Sequence, residues 1–210
     1  MARQTRKEKQ AHTRRCLMRS ASKLFAERGL QNASIDDVAE DAGFTKGAFY
    51  ANFDSKEALF LEMLDERFAE RAEELERVIA GEGSDAEKAV RAGEDFTRML
   101  NADPEWRQLL FEFTAYAVRN DVFREQLVAR RRALRARVAS ALQARADELG
   151  LHTGVPADEV ALMTSAMASG FAIEQLLEGE EVPDELFGSM LLLFFAGLRA
   201  LAAEPATAAS

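Results

Sequence analysis

The sequence predicts an all-α protein of about nine helices, arranged in two domains. Apolar residues recur every three to four positions along most of the chain, which places them on one face of successive helices. The 12 glycines and 4 prolines stand mostly between these periodic segments, where they end one helix or begin the next. No segment has a convincing strand pattern. Residues 109–118 are the least certain helix, since their length and aromatic content also suit a strand.

The first predicted domain covers residues 1–55 and contains three helices. The first helix, over residues 13–28, carries one apolar stripe on an otherwise basic surface and ends at a glycine. Ser34 opens a capping box in which aspartate replaces the usual glutamate, and a short second helix follows it. A glycine turn then leads into a short third helix. Residues 34–53 therefore form a predicted helix-turn-helix.

The second predicted domain covers residues 56–210 and holds six further helices. Their start signals are strong in two places, because Ser84 begins a capping box and Asp103 precedes a proline at the first helical position. The six helices are expected to begin near residues 55, 84, 103, 121, 156 and 183. The final segment, 186–203, is very apolar. It is too short before Arg199 interrupts it to span a bilayer, so we expect a helix buried in protein and no membrane partner.

Charge is divided unevenly along the chain. The net charge is −9, which taken alone argues against a nucleic-acid partner. Residues 1–56, however, hold 11 lysines and arginines against 7 acidic residues, while the remainder holds 16 against 29. A basic head on an acidic body is typical of a protein whose one end meets a polyanion, although a solvated basic tail would give the same pattern.

Cysteine and histidine counts exclude several classes of site. With 1 cysteine and 2 histidines, the chain cannot form an internal disulfide framework, and a Cys/His zinc site is close to impossible. The sequence shows no nucleophile–base pair, no glycine-rich phosphate loop and no metal-ligand spacing. We therefore predict a protein that is not an enzyme and has no cofactor. No apolar stretch follows the basic N-terminus, so we expect no secretory signal and a cytoplasmic location.

The predicted helix-turn-helix presents a polar face that suits a DNA groove. Large phenylalanines anchor its second helix, which leaves small and polar residues outward: Thr45, Lys46, Gly47, Ala48, Tyr50 and Asn52. Small residues at a helix N-terminus allow close approach to base edges, and Lys46 can donate to guanine. Tyr50, Asn52 and the following Lys56 can reach phosphates. The partner predicted from this face is double-stranded DNA.

Residues 14–64 resemble the DNA-binding head of the TetR (tetracycline-repressor-like) family of bacterial transcriptional regulators. The resemblance is densest in the run AGFTKGAFYANFDSKEAL, which covers residues 42–59. It implies that Ser34 joins the residues named above as a phosphate contact. The family often carries histidine where this chain has Asn52, and Asn52 can still hydrogen-bond to phosphate but cannot become charged.

The resemblance also implies a mechanism. It implies a homodimer formed through helices 156–178 and 183–203, and a repressor released from its operator by a small, lipophilic effector bound in the C-terminal domain. Two alternatives remain open from the residues alone. One is a dimeric DNA-binding protein without an effector, and the other is a helical enzyme using the C-terminal pocket, which the missing nucleophile–base pair disfavours.

Three features of the sequence allow two interpretations each. The basic arm with Arg3, Arg6, Lys7 and Lys9 either enters the minor groove or is a disordered segment making nonspecific phosphate contacts. Glu112, within an apolar run, either pairs with an arginine or meets a cationic ligand. The arginine-rich segment 130–137 either contacts nucleic acid or, as we expect, forms a solvated or salt-bridged face with the acidic helix that follows residue 55.

The C-terminal helices carry aromatic and methionine-rich faces that suit an adaptable apolar pocket, although such stripes are usually plain core. The candidate ligand-binding residues are Phe96, Met99, Leu100, Trp106, Leu110, Phe113, Tyr116, Met163, Met167 and Phe171.

Overall fold

The computed structural model describes residues 5–151 and 153–203, without the side chain of Gln31. Within these residues it contains nine α-helices, one short 3-10 helix and no strand, which confirms the predicted all-helical class. The α-helices are α1 (Arg6–Asn32), α2 (Ile35–Asp41), α3 (Lys46–Tyr50), α4 (Lys56–Ala80), α5 (Asp85–Ala102), α6 (Pro104–Ala117), α7 (Asp121–Leu149), α8 (Ala157–Glu178) and α9 (Leu186–Ala203). Residues 109–118 therefore belong to α6 and its C-cap rather than to a strand.

Helix α1 begins seven residues earlier than the sequence pattern predicts. The Thr5 hydroxyl accepts a hydrogen bond from the Glu8 amide at 3.2 Å, and the Glu8 carboxylate accepts one from the Thr5 amide at 2.7 Å. This capping box holds the pKa of Glu8 below its usual value. Arg6, Lys7 and Lys9 are therefore helical rather than part of a disordered arm, while Arg3 lies outside the described residues.

The first of two compact units contains the described residues up to Arg67 together with Asp103–Val128. Its core is aromatic. The rings of Phe60 and Phe113 stack with centroids 3.3 Å apart, and Trp106 stacks on the same Phe60 ring at 5.6 Å. Phe25 of α1 meets Phe113 edge-on at 6.2 Å. Helix α6 thus shares an apolar core with α1 and the first part of α4.

The second unit contains Phe68–Ala102 and the described residues from Ala129 onward. Helices α5 and α9 cross closely at Gly93 and Gly188, where a Cβ on Gly93 would lie 2.3 Å from the Gly188 Cα. Phe187 packs beside this crossing against Phe96 at 4.9 Å and Phe171 at 5.3 Å between ring centroids. The absence of side chains at the two glycines allows the two helices to approach this closely.

The two units do not coincide with the domains predicted from the sequence. Helices α4 and α7 each contribute residues to both units, so the boundaries between the units lie inside these helices. The predicted domain boundary at residue 55 stays a prediction.

Candidate nucleic-acid interface

Helix α2 opens on the capping box that the sequence predicts. The Ser34 hydroxyl accepts from the Asp37 amide at 3.0 Å, and the Asp37 carboxylate accepts from the Ser34 amide at 2.9 Å. The bond from the Ser34 hydroxyl holds the pKa of Asp37 below its usual value. Gly43 then adopts φ 76°, and the Phe44 amide donates to the Ala39 carbonyl at 2.8 Å. The chain therefore reverses sharply between α2 and α3.

Helix α3 is anchored on one side and open on the other. Thr45 caps it by accepting from the Ala48 amide at 3.2 Å. Phe49 is fully buried, with its ring centroid 5.7 Å from that of Phe53. On the open side the side chain of Tyr50 is 51% exposed, and the neighbouring positions Thr45, Lys46 and Gly47 are also exposed, with Ala48 half-buried. The short helix thus presents the face that the sequence predicts for a DNA groove.

Lys46 on this face is paired within the unbound protein. Its Nζ donates to the Asp36 carboxylate at 2.8 Å, and both side chains are exposed. The Asp36 carboxylate raises the pKa of Lys46. An approaching phosphate or base edge therefore competes with Asp36 for this cation.

Asn52 and Lys56 make internal contacts at the C-terminal side of the helix-turn-helix. The Asn52 amide donates to the Ala48 carbonyl at 2.8 Å, while its Oδ1 is buried with no hydrogen-bond partner among the described residues. Lys56 donates to the carbonyls of Leu30 at 2.6 Å and Ala33 at 2.8 Å. Lys56 thus fixes the link between α1 and α2. The phosphate contacts predicted for Asn52 and Lys56 stay predictions.

Glu112 of α6 supports the same link from the other side. Its carboxylate accepts from the Leu30 amide at 2.8 Å and lies 3.1 Å from where a Cβ on Gly29 would stand. Gly29 has φ 77°, which interrupts α1 and frees the Leu30 amide for this bond. The predicted arginine partner is therefore wrong, since among the described residues Glu112 bonds to backbone. Sequence reasoning missed this role because the two groups are 82 positions apart.

Comparisons with known proteins match both parts of the chain. The family described as bacterial regulatory proteins, tetR family, matches residues 17–63, and the C-terminal family of BetI-type transcriptional repressors matches residues 85–199. The second match alone covers more than half of the chain. The chain belongs to the TetR family. The family and its relatives are transcriptional regulators rather than enzymes, which confirms the predicted class.

The curated relatives align over part or most of this TetR-family chain. The transcriptional repressor AcnR of Corynebacterium glutamicum is 26% identical over 175 residues, which cover 82% of this chain and 86% of that protein. An uncharacterized regulator of Bacillus subtilis, YdgC, is 30% identical over 110 residues, which cover 50% of this chain and 56% of that protein. The chain thus spans little more than half the length of this relative.

Solved structures share the TetR-family fold. Salmonella enterica GusR has a TM-score of 0.75 at 23% identity, over 90% of this chain and 95% of that one. Bacillus subtilis FadR, solved in complex with stearoyl-CoA, has a TM-score of 0.73 at 15% identity, over 89% of this chain and 97% of that one. At these identities the likeness shows the fold alone.

The candidate effector residues of this TetR-family chain fall into both compact units. Those in the first unit are Trp106, Leu110, Phe113 and Tyr116, all on α6. Trp106 and Phe113 are buried in the aromatic core, and the Tyr116 hydroxyl donates to the Glu57 carboxylate at 3.1 Å. Burial raises the pKa of Tyr116.

The other six candidates lie in the second unit. They are Phe96, Met99 and Leu100 on α5, and Met163, Met167 and Phe171 on α8. Phe96 and Phe171 meet with centroids 6.3 Å apart, whereas Met163 is 42% exposed. An open groove of about 480 Å³ in this unit is lined by Glu76, Ala136, Arg137, Ser140 and Ala141, none of which is a candidate. That the candidates line an effector cavity stays a prediction.

Proposed function

We propose that this TetR-family chain is a homodimeric repressor that binds a double-stranded operator and is released from it by a small molecule. The observation that carries the proposal is the exposed face of α3, whose opposite side is anchored by the buried Phe49. This helix lies within residues 17–63, which match the tetR family of regulatory proteins. In this proposal residues 1–55 bind DNA, and residues 56–210 bind the effector and form the dimer. Repressors of this kind act in the cytoplasm.

The operator contacts follow from the exposure of the helix-turn-helix. Thr45, Lys46, Gly47 and Ala48 face the major groove, with Lys46 leaving Asp36 to donate to a guanine edge. The phosphate contacts come from the residues that flank this helix: Ser34, Tyr50, Asn52 and Lys56. Phosphate contacts fix the register of the helix, whereas the groove face reads sequence.

A second copy of the chain is the proposed partner of α8 and α9. Both segments are apolar, with mean hydropathies of 1.3 for Ala157–Glu181 and 1.9 for Leu186–Ala203. They are also long enough to cross a bilayer, but one or two such helices are weak evidence for a membrane protein. Large apolar side chains remain open on both, since Leu177 is 74% and Leu193 is 73% exposed. Pairing helices 156–178 and 183–203 with those of a second copy covers this apolar surface.

Effector release requires only that the ligand favour a conformation with the wrong spacing between the two heads. Recognition helices in a twofold dimer must reach major grooves about 34–36 Å apart. A coupling of about 1–3 kcal/mol is typical between such sites and lowers operator affinity about 5- to 150-fold. The complex of the fold neighbour FadR with stearoyl-CoA supports a small-molecule effector for this architecture.

Operator binding by point variants tests the proposal. Lys46→Ala and Tyr50→Ala should each abolish specific binding in fluorescence anisotropy, while the dimer seen by sedimentation stays intact. Arg98→Ala is the charge-matched control, because Arg98 is exposed on α5 and pairs with the nearby Asp95. Unchanged operator affinity in both head variants would contradict the proposed interface.

A further inference from the structure

Several arginines of α7 form ion pairs with carboxylates. Arg137 binds Glu76 of α4 through two bonds of 2.8 Å, as the sequence predicts for this face. Arg145 lies 3.3 Å from the Asp85 carboxylate. The helix thus lies near acidic side chains that neutralise its guanidinium groups.

Arg131 on the same helix has no such partner. Among residues 5–151 and 153–203 no carboxylate lies within ion-pair distance of it. Its one hydrogen bond is from Nη2 to the Ser169 hydroxyl of α8, at 3.2 Å. Arg131 is half-buried, and Arg135, one turn further along, is half-buried too. Burial, followed by the positive charge of Arg135, lowers the pKa of Arg131. Two partly buried cations therefore lie near each other, and in the part of the chain that the structure describes no ion pair with a carboxylate is seen for either.

Ser169 holds the guanidinium in a fixed position. The Ser169 hydroxyl donates to the Ser165 carbonyl at 2.9 Å, so its oxygen is turned to accept from Arg131. An arginine carries five N–H donors in a planar fork, and only one bond is made here. The remaining donors match a carboxylate or a phosphate, both of which arginine binds through paired bonds.

A half-buried charge without a nearby counter-ion is less well solvated than an exposed one, and its free N–H donors remain open to a ligand. We propose that Arg131, assisted by Arg135 and Ser169, binds an anionic group of the effector, either a carboxylate or a phosphate ester. The inference rests on the proposed effector-responsive function and names the chemical class of its ligand. It replaces a purely lipophilic effector by an amphiphilic one. An acidic residue of a second copy is the competing partner, because Ser169 lies on α8, which the proposed dimer pairs; the sedimentation measurement below distinguishes the two.

The first experiment measures the unliganded dimer by thermal unfolding. Arg131→Met keeps the length of the side chain and removes the unpaired charge, so its Tm should rise above that of the wild type. Arg137→Met is the matched variant, because it removes a guanidinium that is paired with Glu76 and should lower Tm. A lower Tm in both variants would show that Arg131 is as well neutralised as Arg137, and would overturn the proposal.

The second experiment uses four probes with the same eight-carbon chain at constant ionic strength: octanoate, octyl phosphate, octanol and octylammonium. At ten times its Kd an anionic probe should raise the Tm of the wild type by about 3 °C or more. Octanol and octylammonium should not match it. The Arg131→Met variant should bind the anion about tenfold or more weakly, while Arg98→Met keeps the wild-type response. Comparison of octanoate with octyl phosphate identifies which anion the site prefers.

Three results would overturn the inference. They are an equal response to octanol and the anions, an anion response that survives in Arg131→Met, and dissociation of the Arg131→Met dimer in sedimentation, which would assign the arginine to a second copy. Operator binding by the unliganded wild type is measured separately. Its absence would refute the proposed repressor, whereas its presence without an anion response would refute only the anion site.

Discussion

Replacing Lys56 with methionine distinguishes two roles for this residue. The TetR-family pattern makes Lys56 a phosphate contact, whereas the structure engages its ammonium with the carbonyls of Leu30 and Ala33 at 2.6 and 2.8 Å. Methionine keeps the apolar stem of the side chain and removes the charged donor. The variant therefore deletes both hydrogen bonds from the link between α1 and α2 and leaves two carbonyls without this partner.

The expected loss of stability follows from those two bonds. A hydrogen bond to a charged group contributes about 1.5–3 kcal/mol to stability. Because the site is half-buried and water can reach part of it, the lower value applies to each bond. The free energy of unfolding should fall by about 3 kcal/mol, and Tm by about 6–12 °C for a chain of this size.

Thermal and denaturant unfolding without DNA measure what the two Lys56 hydrogen bonds contribute to stability. Operator titrations at several salt concentrations measure the phosphate contact. If Lys56 only met DNA, the variant would unfold like the wild type, and the slope of log K against log salt would become shallower by about 0.9 for each protomer bound. Lys46→Met is the matched control. Because the Lys46 side chain is exposed, this variant should leave Tm unchanged while it abolishes specific operator binding. An unchanged unfolding midpoint for Lys56→Met would refute the reasoning from the structure.

Three further variants test other parts of the structure. Gly93→Ala should lower the free energy of unfolding by about 1–3 kcal/mol in urea, because its Cβ would stand 2.3 Å from the Gly188 Cα; an unchanged midpoint would contradict that close crossing. Asp36→Asn releases Lys46 and should raise affinity for all duplexes about two- to fivefold in anisotropy, and weaker binding would mean that Asp36 orients the lysine instead. Burial lowers the pKa of Lys88 in the folded protein. The stability of the wild type should therefore rise relative to that of Lys88→Met as pH increases from this lowered pKa towards about 10.4, the pKa of an exposed lysine. Parallel curves of stability against pH would argue against a desolvated ammonium.

Local signals in the sequence predicted the helices well, because capping depends on residues three positions apart. The capping box at Ser34 and the proline-led start at Asp103 are both present in the structure. The early start of α1 was also within reach, since Thr5 and Glu8 have the spacing of a capping box. This local signal favours a helix over a disordered arm.

Contacts between distant parts of the chain were beyond prediction from local patterns. Nothing near Glu112 in the sequence indicates that its carboxylate meets the Leu30 amide, or that α6 shares a core with α1. The partner of Arg137 was predictable as a class, because an acidic helix and a basic helix were both visible. That no carboxylate among the described residues pairs with Arg131 was not predictable, since this depends on how α7 is turned towards α8.

Fluorescence anisotropy over a series of salt concentrations tests the central claim most directly, with the purified protein and the duplex upstream of its own gene. The account predicts binding that is far tighter than to an unrelated duplex, two protomers per site, and a slope of about −0.9 for each phosphate that a lysine or arginine neutralises. Equal, weak binding to every duplex, together with no site recovered by genome-wide selection with the unliganded protein, would contradict the assignment as an operator-binding repressor.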